Sequence, residues 1–234
     1  MAQDARHFAD ELDELKQRLL LMGGLAEERV RLAMRALVDR DRDLVADVIR
    51  GDQAINVMQL EIDDRCFKLL ALYQPMAIDL RAIVAAVKIN SDLERVGDLA
   101  VNIAEAADRY VAHPPVKALI DLPRMGALAQ LMLRQALDAF VSQDIAAAHE
   151  VLKQDDVLDA LKNQIFRELL TYMLGDTRTI EPGIDLILIS RHLERIGDHA
   201  TNVAEDVIFI VEARDVRHHA GDTDQAMRGA EPLG

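Results

Sequence analysis

Tryptophan is absent, and the 234 residues hold only three tyrosines and five phenylalanines. So few aromatics argue against ring-lined ligand pockets and β-sandwich cores, and leave close helix packing as the expected way to fill an interior. A single cysteine, Cys66, excludes a disulfide framework and a Cys-type zinc centre, and its helix-forming neighbours mark it as a buried structural thiol in a reducing compartment. No stretch approaches the ~18 apolar residues of a membrane span; the run Ile184 to Ile189 is broken by Asp185 and soon followed by Arg191. Acids follow closely on Met1, without the basic-then-apolar order of a signal peptide, so the expectation is a soluble, cytoplasmic protein. Basic residues are scarce too, 27 Lys and Arg against 41 Asp and Glu for a formal charge of −14, which argues against nucleic-acid binding by phosphate neutralisation. Cations and basic surfaces are the expected partners. Phosphate-loop and nucleophile-elbow motifs are missing, as is any Cys/His constellation, so nothing supports nucleotide hydrolysis or nucleophilic catalysis.

What the chain does contain is a repeat. The segment Asp92-Leu93-Glu94-Arg95-Val96-Gly97-Asp98 returns a hundred residues later as His192-Leu193-Glu194-Arg195-Ile196-Gly197-Asp198, and the same spacing relates Asn102 to Asn202 and Glu105 to Glu205. A match held over about three helical turns marks an internal duplication.

Half of the residues are hydrophobic, with Ala, Leu, Ile, Val and Met dominant, and they recur at a period near 3.6 between sparse prolines and glycines. The pattern predicts six helices, over about 5–40, 44–72, 75–110, 124–142, 144–174 and 184–214. Pro75 opens the third within its first turn, and Gly23-Gly24 is expected to loosen or bend the first. His113-Pro114-Pro115 stops the third helix. Helices two and five also correspond, Val48, Asp52, Ile55, Met58 and Ile62 falling against Val151, Asp155, Leu158, Leu161 and Ile165. The fold class that follows is all-α, two tandem three-helix bundles over 1–113 and 124–214, a linker over 114–123 and a disordered tail over 215–234.

Glu94 and Asp98 stand four residues apart, one above the other on a helix face that Asn102 and Glu105 extend. Stacked carboxylates repel and invite a compensating cation, and an amide oxygen nearby suits a hard metal. Glu94, Asp98, Glu194 and Asp198 are therefore the candidate metal ligands, with Asn102, Glu105, Asn202 and Glu205 in support. Asp155 and Asp159 are further candidates on the fifth helix, opposite Asp52 and Asn56 on the second, although the pattern there also suits solvated faces. Glycine inside a helix costs about 1 kcal/mol relative to alanine, so Gly97 and Gly197 predict close approach of a neighbouring helix beside the carboxylates. The competing account pairs Glu94 with Arg95, and Glu194 with Arg195, as ordinary surface charges. His192 and His199 have Asp92 and Leu99 at the matching positions, which excludes a histidine chemistry common to both halves, and His218-His219 carries no pattern.

Three stretches carry a family resemblance. They are Gln74-Pro75-Met76-Ala77-Ile78-Asp79-Leu80-Arg81, Lys88-Ile89 through Asp98 with Asn102-Ile103-Ala104, and Ile189 through Asn202 with Glu205-Asp206. Across about Phe8 to Arg214 the chain resembles the PhoU family of phosphate-uptake regulators that accompany bacterial phosphate ABC transporters. The resemblance implies two similar three-helix bundles in a cytoplasmic protein, usually a homodimer, without catalytic activity. It further implies an adaptor between the transporter's ATPase subunit and a sensor histidine kinase, repressing the phosphate-starvation response when phosphate is plentiful and meeting the membrane only through these partners. Multinuclear iron or other divalent metal clusters on E(D)xxxD motifs are implied at Glu94/Asp98 and Glu194/Asp198. The alternative is a carboxylate-bridged metal-binding bundle with an enzymatic or metal-storage role; such sites add Glu-x-x-His pairs, whereas Gly97 and Gly197 occupy the third position here.

Overall fold

A computed structural model describes residues 2–213; the expected disordered tail and His218-His219 lie outside them. Six helices follow one another with no strand among the described residues: α1 (Ala2–Asp39), α2 (Arg42–Tyr73), α3 (Ala77–Val111), α4 (Asp121–Ser142), α5 (Ile145–Gly175) and α6 (Ile180–Glu212). A short 3-10 turn, Thr177–Thr179, precedes α6.

The first turn of each half is built the same way. Arg40 and Gln143, in the left-handed region at φ 56° and 55°, end α1 and α4. The backbone N–H groups of Asp41 and Asp144 then reach back 3.1 Å to the carbonyls of Ala36 and Ala139. The Asp41 carboxylate caps α2 by accepting from the Asp43 N–H, and Asp144 caps α5 by accepting from those of Ala146 and Ala147.

Helices α4 and α6 begin earlier than the sequence pattern predicts, at Asp121 and Ile180 instead of 124 and 184. Pro123 and Pro182 each fall third in their helix, where the missing N–H would have had no intrahelical partner. Pro75, conversely, lies ahead of α3. Gln74 turns left-handed to end α2, and Met76 is extended, so the helix opens only at Ala77.

Each half forms a three-helix unit, α1–α3 and α4–α6. The two join through α3 against α6, the most extensive contact in the molecule, and through α1 against α4. Buried Ala82, Ala85, Ala86, Ala100, Ala104, Ala106 and Ala107 keep α3 slim enough to pack on α1, α2 and α6 at once. The apolar interior is continuous through both units. Helix α1 runs unbroken through Gly23, where a Cβ would run into Leu137 Cδ1 of α4, so the glycine serves the seam between halves.

Helices α3 and α6 run antiparallel. Lys88 Nζ meets Asp206 Oδ1 at 2.7 Å, Arg109 Nε meets Asp185 Oδ1 at 2.9 Å, and Arg81 Nε donates to the Ile210 carbonyl at 2.8 Å. Halfway along, Asp92 Oδ1 contacts His199 Nδ1 at 2.7 Å and accepts from Asn202 Nδ2 at 3.2 Å. The core is thus pinned by charge pairs that cross from one half to the other.

Candidate functional site

In each half an acidic seam lies between the second and third helices. Gly97 lets α2 close on α3, since a Cβ there would sit 2.9 Å from Ile55 Cδ1 and 3.1 Å from Asp52 Oδ1. The same approach carries Asp52 against Glu94 and Asp98. Asp52 Oδ2 accepts from Asn56 Nδ2 at 2.9 Å, while its Oδ1 is buried with no hydrogen-bond partner. Burial raises the Asp52 carboxyl above its ordinary pKa, and the charge of Asp98 adds to it. Glu94 is raised by burial first, then by Asp98 and Asp52, against the pull of Arg95. Among the described residues no ion pair reaches Asp52, Glu94 or Asp98. At the far end of the seam, fully buried Asn90 donates to the Gln59 carbonyl and to Asp63 Oδ1, both at 2.9 Å, which fixes the register of α2 on α3.

The second seam repeats this with different residues. Gly197 admits Leu158 Cδ2 and Asp155 Oδ1 from α5. Asp155 is pushed up to about 6, chiefly by burial and then by Asp198, Asp159, Asp156 and Glu194. Burial and then Glu194 also raise Asp198, opposed by His199 and Lys162. Here a cation is built in. Lys162 Nζ donates to Asp159 Oδ1 at 2.9 Å and to Glu194 Oε1 at 2.8 Å.

The structure therefore joins Glu94 to Asp98, and Glu194 to Asp198, as expected, and adds Asp52 to one seam and Asp155 with Asp159 to the other. Asp52 and Asp155 are half-buried in the seams, while the Asp159 side chain remains 51% exposed. The helix-two and helix-five alignment could have found Asp52, because it places that residue opposite Asp155 in the duplication. Asn202 is turned away, its amide spent on Asp92 across the α3–α6 seam. Asn102 and Glu105 are exposed further along α3, and Glu205 is half-buried on α6. His199 serves the same crossing contact as Asn202, and His192 Nδ1 is buried without a partner. Cys66 is buried and its thiol pushed up to about 12 by burial, the inert state expected of a structural cysteine.

Among the described residues no three His, Cys, Asp or Glu side chains converge closely enough, as they stand, to hold a metal ion. The seams differ in what meets their carboxylates: Asp52 Oδ1 in the first is buried without a hydrogen-bond donor, whereas Lys162 already neutralises part of the charge in the second.

Fold and seams can be set beside known proteins. The PhoU domain matches residues 19–107 and again 122–207. The chain belongs to the PhoU family. It is 44% identical over 205 residues to the phosphate-specific transport system accessory protein PhoU homolog of Caulobacter vibrioides, covering 87% of this chain and 89% of that one. Against the Escherichia coli PhoU protein, identity is 34% over 225 residues, covering 96% and 93%. The crystal structure of PhoU from Pseudomonas aeruginosa superposes with a TM-score of 0.85 at 39% identity, covering 88% of this chain and all of that one. The phosphate transport system regulatory protein PhoU from Streptococcus pneumoniae gives 0.82 at 31%, covering 89% and 99%. A PhoU family member is a regulatory accessory protein of phosphate transport and not an enzyme, so the enzymatic alternative falls. Among the described residues no helix is long and apolar enough to cross a membrane.

Proposed function

We propose that this chain is a cytoplasmic adaptor that holds the phosphate-starvation response off when phosphate is plentiful. In this reading it works as a homodimer and joins the ATPase subunit of the phosphate transporter to the sensor histidine kinase of the phosphate two-component system. The observation that carries the proposal is the doubled PhoU domain match, which spans both halves. Supporting it, each half leaves large apolar side chains in water where its second and third helices meet. Phe67, Leu80 and Val84 do so in the first half, and Phe166, Leu170 and Ile184 in the second. Exposed apolar side chains on both halves suit a protein that holds two partners at once. Transmission requires that one partner bind this chain differently in its two states, because equal affinity for both would shift nothing.

The acidic seams are proposed to bind divalent metal or a multinuclear iron cluster, through Glu94 and Asp98 with Asp52, and through Glu194 and Asp198 with Asp155 and Asp159. When bound, the metal would supply the positive charge that these carboxylates lack. Deleting the gene tests the regulatory role: starvation genes should stay expressed in high phosphate, and unchanged repression rejects it. Co-purification of the chain with the ATPase subunit and with the kinase, singly and together, tests the adaptor.

A further inference from the structure

Helices α2 and α3 frame a surface groove with two unlike ends. Its apolar end holds Leu60 and Phe67 of α2, 69% and 62% exposed, and the exposed Leu80 and Val84 of α3, over a floor of partly buried Leu70 and Val87. The register that sets Gly97 against Ile55 and Asn90 against Gln59 brings Phe67 level with Val84. Further along α3 the same groove turns acidic, with Asp52 and Asp63 on the α2 side and Glu94 and Asp98 on the α3 side. The nearby cations are spent elsewhere or stand apart. Lys68 pairs with Asp64 and Lys88 with Asp206 of α6, and among the described residues Arg95 makes no ion pair. Neutral Gln59 and Ser91 lie between the two ends. Their duplicates in the second half are Lys162 and Arg191. The groove between α5 and α6, with Phe166, Leu170 and Ile184 at its apolar end, therefore carries cations of its own, and Lys162 already holds Asp159 and Glu194.

We infer that the groove between α2 and α3 docks an amphipathic helix of a partner protein, one whose apolar anchors are followed by lysine or arginine, and that the groove between α5 and α6 does not. The inference rests on the adaptor reading above and gives one of its two docking faces a chemistry. Anchors at i, i+3, i+4 and i+7 seat on Phe67, Leu80 and Val84, the way an apolar helix face fills a hydrophobic groove. From Leu80 to Asp98 the groove runs about 27 Å at about 1.5 Å per residue, room for about five turns of a partner helix. The far turns of that helix reach Asp63, Glu94 and Asp98, where its cations supply the charge that Lys162 supplies from within the second half. A second copy of this chain is a poor occupant, because its formal charge of −14 is repelled by an acidic groove. Charge thus separates two apolar surfaces that the duplication made alike: one groove draws the basic end of the helix, while Lys162 and Arg191 meet it with like charge in the other.

The test uses the full chain in chelator at physiological salt and a fluorescein-labelled helical peptide, with leucines at i, i+3, i+4 and i+7 and arginines on the same face of the following turns. One twin of the peptide carries glutamate for arginine, the other serine for leucine. By fluorescence anisotropy the parent should bind the basic peptide at least about 10-fold more tightly than either twin. Phe67→Ser/Val84→Ser should weaken that binding about 10-fold or more, and so should Gln59→Lys/Ser91→Arg, which copies the cations of the second groove. Phe166→Ser/Ile184→Ser should leave it unchanged. All these side chains reach the surface, and circular dichroism melts report folding. Equal affinity for the basic and acidic peptides, tight binding of the serine twin, or equal losses from the two serine pairs overturns the assignment. So does a change from dimer to monomer in Phe67→Ser/Val84→Ser by sedimentation velocity, which gives the groove to a second copy. Co-purification separates the groove from the adaptor reading. If Phe67→Ser/Val84→Ser still captures the ATPase subunit and the kinase as the parent does, the groove assignment falls and the adaptor stands; if the parent captures neither, the adaptor reading falls whatever the peptide shows.

Discussion

Asp155 offers the sharpest energetic test of the seams, through the substitution Asp155→Asn in protein freed of metal. Its carboxyl is raised from an ordinary value of 3.8 to about 6, because burial and four neighbouring carboxylates disfavour the charge. A folded-state pKa above the unfolded one means that, between the two values, the folded protein holds more protons. The contribution of Asp155 therefore worsens as pH climbs from about 4 to about 6, and above that the ionised group is a standing cost. Converted directly, the shift corresponds to at most about 3 kcal/mol. Asp155 is only half-buried, so solvent screening brings the expected cost nearer to about 1 kcal/mol. Asparagine keeps the shape and removes the charge. In chelator at pH 7.5, Asp155→Asn should thus raise the melting temperature by roughly 2–4 °C. At pH 4 the gain should vanish, because the parent carboxyl is protonated there too. Urea melts at the two pH values in chelator give both numbers. A variant less stable than its parent at pH 7.5, or equally stabilised at pH 4 and 7.5, would refute the account of Asp155 as a carboxylate whose charge its surroundings disfavour.

Other consequences concern the scaffold that holds the seams. Arg109→Met strands the nearly buried Asp185 carboxylate without its partner; because Arg109 itself is half exposed, the expected loss is about 2 kcal/mol by chemical denaturation. The double variant Arg109→Met/Asp185→Leu should recover most of it, and a double as unstable as the single would deny the pair its pinning role. Gly197→Val drives a branched side chain into Leu158 Cδ2 and should cost about 1–3 kcal/mol by chemical denaturation; a neutral melt would mean that α5 yields without strain. Asp41→Ala and Asp144→Ala remove matched helix caps and should each cost about 1 kcal/mol, a similar loss at both being the signature of the duplicated turn.

These residues also show what could be read in advance from the chain and what could not. Helix number, the halves and the motif faces were legible because each is written as a period or a repeat: the 3.6-residue apolar stripe, and Glu94, Gly97 and Asp98 returning as Glu194, Gly197 and Asp198. Helix starts at Asp121 and Ile180 were read late because proline was taken as a boundary, although a proline in the third helical position forfeits no hydrogen bond. The partners of the carboxylates were illegible for another reason. A helix face states which of its own residues lie together, and says nothing of which neighbouring helix covers them. Only the antiparallel register of α2 on α3, set by Gly97 against Ile55 and by Asn90 against Gln59, brings Asp52 to Glu94 from forty-two residues away. The use of Gly23 against Leu137 of another helix was illegible on the same ground.

The difference between the seams then follows from where the duplication has been free to change. Residues of the motif helices serve several tasks at once, since Glu94, Gly97 and Asp98 face α2 while other residues of α3 pack α1 and α6; a substitution there is felt across both halves. Among the described residues, α2 packs on α1 and α3, and α5 on α4, α6 and the short 3-10 turn ahead of α6, all within their own unit. A change such as Gln59 against Lys162 alters the charge of one seam without disturbing the core that joins the units. Inequivalent seams on equivalent scaffolds are thus the arrangement this architecture admits most easily. If the two seams prove interchangeable in every cation-binding assay despite Lys162, the ammonium must be leaving its carboxylates freely, and its contacts with Asp159 and Glu194 would be incidental to the site.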